Sequence, residues 1–116
     1  MIVETRTLSF SGKELVEATV RHVRGTKTDV GSGQVEAVVP DKADGGSVIL
    51  KMAADGGGHS ETRLSAGFMG AALIRYCITE RIMVPRRATK KVTIGDESVT
   101  LEFVMNLKAH NVLSPG

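Results

Sequence analysis

The segment from Leu64 to Ile78 constrains the fold most, because it would be apolar almost all the way round a helix. Ser65 and Arg75 are its main polar exceptions. A helix without a polar face has to be surrounded by other elements. The chain has 116 residues, 41% of them apolar, and this length favours a single core. We expect one domain over residues 1–106 and a flexible tail over residues 107–116.

The apolar segment is predicted to belong to a helix that begins at Ser60 and runs to about Ile82. The Ser60 hydroxyl can cap the first turn of such a helix. Val84 precedes Pro85, and the residue before a proline is driven toward extended conformations. The helix should therefore end before that pair.

An earlier helix is predicted to begin at Ser11 and to end at Gly25. Ser11 and Glu14 have the spacing of a capping box, and Phe10 can pack on Leu15 as a hydrophobic staple. Its apolar stripe is expected to consist of Val16, Val20 and Val23.

Five segments have the composition or alternation of strands. They are residues 2–10, Gln34–Val39, Ser47–Met52, Lys91–Ile94 and Ser98–Met105. The first is expected near a sheet edge, since it carries Glu4 and Arg6. The last two form a hairpin whose inward side chains are expected to be Val92, Ile94, Val99, Leu101 and Phe103.

The element order β-α-β-β-α-β-β predicts an α+β two-layer sandwich, with about five mostly antiparallel strands and two helices on one face. Two pairs of segments resemble each other. Ser47–Met52 is similar to Ser98–Phe103 at an offset of 51 residues, and Ala18–His22 is similar to Ala72–Tyr76 at an offset of 54. Either the αββ unit is duplicated, or short amphipathic segments resemble each other by chance.

A basic stretch near the end of the second helix is a candidate polyanion-binding site. It comprises Arg81, Arg86, Arg87, Lys90 and Lys91. Such a cluster could bind phosphate backbones in nucleic acid. The alternative is a solvated surface beside acidic neighbours such as Asp96 or Glu102. A net charge of only +2 favours the second interpretation, and nucleic acid is not the favoured partner.

A glycine-rich loop is a candidate anion-binding site. It comprises Gly56, Gly57, Gly58, His59 and Ser60, between a predicted strand and a predicted helix start. Backbone amides at such a position can bind an anion. The alternative is a connector whose serine caps the helix, and this is favoured because the loop lacks the ending of a P-loop.

Small residues along the second helix form a candidate interface. Ala66, Gly67, Gly70 and Ala71 would let another backbone approach closely. The approaching element could be the chain's own sheet or a second copy of the protein.

We expect no catalytic group, metal site or cofactor. The one cysteine, Cys77, is expected to be a small core residue, and the histidines are too scattered to form a ligand pair. The sequence predicts a cytoplasmic chain without a membrane span. It favours a non-enzymatic module that acts through a homodimer or a protein partner, with polyanion binding and small-anion binding as alternatives.

Overall fold

A computed structural model of the chain describes residues 1–31 and 33–107. Six strands and two α-helices follow in order: β1 (Val3–Ser11), α1 (Gly12–Gly25), β2 (Gln34–Asp41), β3 (Ser47–Ala53), β4 (His59–Ser65), α2 (Ala66–Thr79), β5 (Thr89–Ile94) and β6 (Ser98–Asn106). The predicted α+β class is confirmed. Of the predicted C-terminal tail, residues 108–116 lie outside the described residues.

The strands form two antiparallel sheets of three strands each. Their orders are β1-β6-β5 and β2-β3-β4, so we call them the β6 sheet and the β3 sheet after their central strands. The order β-α-β-β therefore occurs twice along the chain. Each repeat contributes its first strand to an edge of the other repeat's sheet. The predicted repeat unit, αββ, lacked this first strand. The sequence predicted about five strands, and the described residues form six.

The strand registers of the two repeats correspond. Ser11, the last residue of β1, pairs with Ser98, the first residue of β6. In the other sheet, Ser65 ends β4 and pairs with Ser47 at the start of β3. Ser11 and Ser65 each stand at the N-cap of the helix that follows. The two repeats thus share pairing as well as element order.

The helices also end in the same way. Thr28 N donates to Val23 O at 3.1 Å after α1, and Ile82 N donates to Cys77 O at 2.7 Å after α2. These bonds span five residues and belong to the Schellman type of helix end. A residue with positive φ precedes each donor, at φ 54° for Lys27 and 59° for Arg81. All these positions differ by 54 residues, one of the two offsets noted in the sequence.

The prediction for the start of the second helix is wrong. Residues 59–65 form strand β4, which pairs with β3 over its whole length. The helix begins after Ser65, whose hydroxyl accepts a hydrogen bond from Phe68 N at 3.1 Å. Pairing with a distant segment therefore outweighed the local capping signal at Ser60. The helix ends at Thr79.

The predicted bounds of α1 are confirmed, but two details differ. Ser11 is the N-cap residue, yet its side chain makes no capping hydrogen bond. The buried face of α1 consists of Leu15, Ala18, Thr19 and Val23. Val16 and Val20, which were expected in the buried stripe, are only partly buried.

One hydrophobic core lies between the two sheets and the two helices, and it is mostly aliphatic. The inward residues predicted for the last hairpin are confirmed, since Val99, Leu101 and Phe103 have no exposed surface. Ile94 is buried, and Val92 packs against the core. Over the described ranges, neither helix is long and apolar enough to cross a membrane.

Candidate functional site

The five residues of the basic stretch are all exposed, but they lie on different elements. Arg81 follows α2, Arg86 and Arg87 form a turn, and the two lysines lie on the edge strand β5. Lys90 and Lys91 are neighbours in a strand, so they belong to opposite faces of the β6 sheet. Lys91 pairs across the sheet with Glu102. Binding of a polyanion by this stretch stays a prediction, and alternation along β5 separates its two lysines.

The glycine loop is a hairpin turn between β3 and β4. Ala54 N donates to Gly58 O at 3.0 Å, and Gly57 N donates to Ala54 O at 3.1 Å. The expected helix start is absent here, since His59 and Ser60 lie in β4. His59 Nδ1 lies 2.8 Å from the carboxylate of Glu36. The amides of a helix N-terminus, on which this anion-site prediction rested, are therefore not at this loop.

The small residues of α2 divide between two environments. Gly70 is buried, and a Cβ there would lie 2.7 Å from Val92 Cγ2, so its close neighbour is the chain's own sheet. Gly67 and Ala71 are exposed, and Ala66 is partly buried. Ile78, on the same face as Gly67 and Ala71, has 67% of its surface exposed. Self-association through this face stays a prediction.

Cys77 is fully buried in the core, as expected. Burial raises the pKa of its thiol, which keeps it in the less reactive protonated form. Within residues 1–31 and 33–107, no three histidine, cysteine or acidic side chains are grouped as a metal site.

The structure contains a pocket that the sequence did not reveal, between the end of α1 and the β3 sheet. Its volume is about 280 Å³, and we call it the α1 pocket. Apolar side chains of α1, of the following loop and of the sheet line it: Val20, Val23, Val30, Val35, Leu50 and Met52. Ligand pockets are mostly apolar with a few polar groups, and typical volumes begin at about 300 Å³. At about 280 Å³, the α1 pocket lies just below this range and could hold only a small ligand.

The polar residues that line this pocket include two cations. Arg24, Lys27 and Thr28 line it together with the backbone of Gly31 and Gly33. No carboxylate forms an ion pair with Arg24 or Lys27 in the described part of the chain. The Schellman-type helix end fixes the backbone of Lys27 and Thr28. The polar part of the pocket is therefore positively charged.

The second repeat differs from the first at the same positions. Arg24, Thr28 and Met52 correspond to Ile78, Ile82 and Phe103. Phe103 is fully buried, and Ile82 packs against the core. In the second repeat, isoleucines thus replace Arg24 and Thr28 and a phenylalanine replaces Met52, while Lys27 corresponds to another cation, Arg81.

Sequence reasoning missed these pocket residues because they belong to four elements and form no local motif. The two offsets between similar segments were the available signal. The first already set Met52 against Phe103, and extending the second would have set Thr28 against Ile82. Comparisons of the chain with protein-family models, with curated proteins and with solved structures found no match.

Proposed function

We propose that the protein binds a small organic anion with an aliphatic body in the α1 pocket. The contrast between the repeats carries this proposal. The helix end and the strand register from Ala37 to Pro40 have counterparts in the second repeat, which holds Ile82 and Phe103 where the first has Thr28, Met52 and a cavity. A register shift between Val35 and Ala37, which β5 lacks, adds to the difference beside Met52. Dense packing is the rule in protein interiors, so an apolar pocket with cations is a feature to be explained.

Different residues of the α1 pocket would bind the two parts of the ligand. The aliphatic body would lie against Val23, Val30 and Leu50, which line the interior of the pocket. The anionic group would accept hydrogen bonds from Arg24 and Lys27. Charge-assisted hydrogen bonds are roughly twice as strong as neutral ones. A short-chain carboxylate is the simplest molecule with both parts.

Titration with butanoate, hexanoate and octanoate, followed by ¹H–¹⁵N NMR, tests this proposal. Amides of Val23, Val30 and Met52 are expected to shift. Each added methylene contributes about 0.8 kcal/mol when buried, so affinity should rise about fourfold per methylene until the pocket is full. Hexan-1-ol is the matched neutral ligand and should bind more weakly.

The double variant Thr28→Ile with Met52→Phe introduces the side chains of the second repeat into the first. It should retain the fold and lose carboxylate binding, because it fills the pocket without removing a cation. Thr28→Ser is the matched control and should bind as the original chain does. If no amide of the pocket moves with octanoate, or if the filled variant binds equally well, the proposal is wrong.

A further inference from the structure

A second cavity lies between the two helices, on their outer side. Its volume is about 460 Å³, and we call it the helix cleft. Ala18 of α1 and Ala72 of α2 line it, and both are buried. They occupy equivalent positions in the two repeats, so the cleft lies where the repeats meet. Their short side chains leave the space between the helices open.

Two arginines at equivalent positions line this cleft, and their surroundings differ. Arg21 forms ion pairs with Glu17 and with Glu80, the latter at 2.9 Å. Arg75 stands at the corresponding place in the second repeat. There, the positions of the two glutamates are occupied by Ala71 and Thr26. Among the residues that the structure describes, no carboxylate forms an ion pair with Arg75.

The end of α1 explains where the Arg75 side chain lies but does not neutralise it. Its guanidinium lies against Gly25, where a Cβ would overlap it. The negative end of a helix dipole attracts a cation there, but only weakly at an exposed site. Arg75 remains exposed. Burial of the His22 ring, and then the charge of Arg75, lower the pKa of that histidine.

Besides Arg75, a second arginine and a hydroxyl group line the cleft. Arg24 lines it as well as the α1 pocket, and Thr79 contributes a hydroxyl. Glu80 also lines the cleft, but its carboxylate accepts from Arg21. Two guanidinium groups without carboxylate partners in one cleft favour a bound anion of high charge.

We propose that the helix cleft binds the phosphate group of a small molecule through Arg75, Arg24 and Thr79. A phosphate offers several acceptor oxygens to the two guanidinium groups and the hydroxyl. Arg21 pairs with two carboxylates of the chain itself, those of Glu17 and Glu80. Arg75 would instead pair with an anion from solution. The cleft has room for a body beyond the phosphate.

Binding of inorganic phosphate and of ribose 5-phosphate, measured by ¹H–¹⁵N NMR at low ionic strength, tests the proposal. Amides of Thr79 and Gly25 and the Arg75 side chain are expected to shift. Tighter binding of ribose 5-phosphate would assign the site to a phosphorylated molecule, and equal binding would assign it to the phosphate ion. If neither ligand binds at millimolar concentration, the proposal is wrong.

Three variants locate the site. Arg75→Gln should weaken phosphate binding about tenfold, the loss of one charge-assisted contact. Ala71→Glu places a carboxylate where the first repeat has Glu17, so it should compete with phosphate while every cation stays. Arg81→Gln removes an exposed arginine that does not line the cleft and should have no effect. If Arg81→Gln weakens binding as much as Arg75→Gln, the site is elsewhere.

The filled variant of the α1 pocket, Thr28→Ile with Met52→Phe, should still bind phosphate. This result separates the two proposals, because either site can then fail without the other.

Discussion

Gly70 of α2 faces Val92 of β5 so closely that a Cβ at position 70 would lie 2.7 Å from Val92 Cγ2. Valine has a stiff χ1 and cannot easily move its methyl group away. The absence of a side chain at position 70 therefore sets the distance between this helix and the β6 sheet.

Replacing Gly70 with alanine should destabilise the protein. Overpacking a core typically costs about 1–3 kcal/mol, while alanine gains about 1 kcal/mol over glycine in helix propensity. We expect a net loss of stability in urea unfolding. Adding Val92→Ala should recover part of the loss, because the two sites are in contact.

Gly67→Ala is the matched control on the same helix. The nearest atom to a Cβ at this exposed position is Ser65 Oγ at 3.9 Å. It should raise stability by up to about 1 kcal/mol. Equal losses from both substitutions would show that contact with Val92 is not the cause.

The two N-cap serines should differ in their contribution to stability. Ser65 accepts a hydrogen bond from Phe68 N, whereas the side chain of Ser11 makes no capping bond. Ser65→Ala should cost about 1 kcal/mol. Ser11→Ala should change the stability by less than about 0.5 kcal/mol, as surface substitutions usually do. Urea unfolding of both variants provides the comparison, and a larger loss at Ser11 would contradict it.

His22 should make the fold less stable in mild acid. Burial of the ring, and then the charge of Arg75, lower its pKa in the folded state. The unfolded chain, with a histidine pKa of about 6.5, takes up the proton first. Stability is therefore fully present above pH 6.5 or so and falls as the pH drops toward the lowered pKa.

Two variants check this assignment. Arg75→Gln should raise the pKa of His22, measured by NMR titration of its ring protons, because the repelling charge is gone. His22→Gln should flatten the pH dependence of unfolding below about pH 6.5. A ring that titrates identically with and without Arg75 would be contrary to the prediction.

Cys77 should resist thiol reagents in the folded protein. Its side chain has no exposed surface, and burial raises the pKa of the thiol. An aromatic disulfide reagent should modify one thiol per chain readily in denaturing urea and only slowly in native buffer. Rapid modification of the native protein would show that the core opens around α2.

Much of the fold was predictable because its signals are local. The alternation of Val99, Leu101 and Phe103 predicted their burial, and glycine marked the end of α1. Strand β4 was not predictable in this way. Of its seven residues only Leu64 is buried, so the segment shows no periodic apolar pattern. Its conformation depends on pairing with β3.

The candidate sites were hidden for a related reason. Arg24 looks like an ordinary polar residue of an amphipathic helix, and Arg75 like an exception in an apolar one. Their surroundings appear only when the repeats are compared position by position. The basic stretch, by contrast, is obvious in the sequence, yet alternation along β5 separates Lys90 from Lys91.

The exchange of first strands between the repeats has a consequence during synthesis of the chain. β1 is made before its partner β6, and almost the whole described chain lies between them. The β6 sheet cannot begin to form around β1 until its central strand has left the ribosome. Pairing across such a sequence distance is slow, and an unpaired strand edge is open to other chains meanwhile. β1 therefore stays without its native partner, and open to other chains, while the segment between Ser11 and Ser98 is translated.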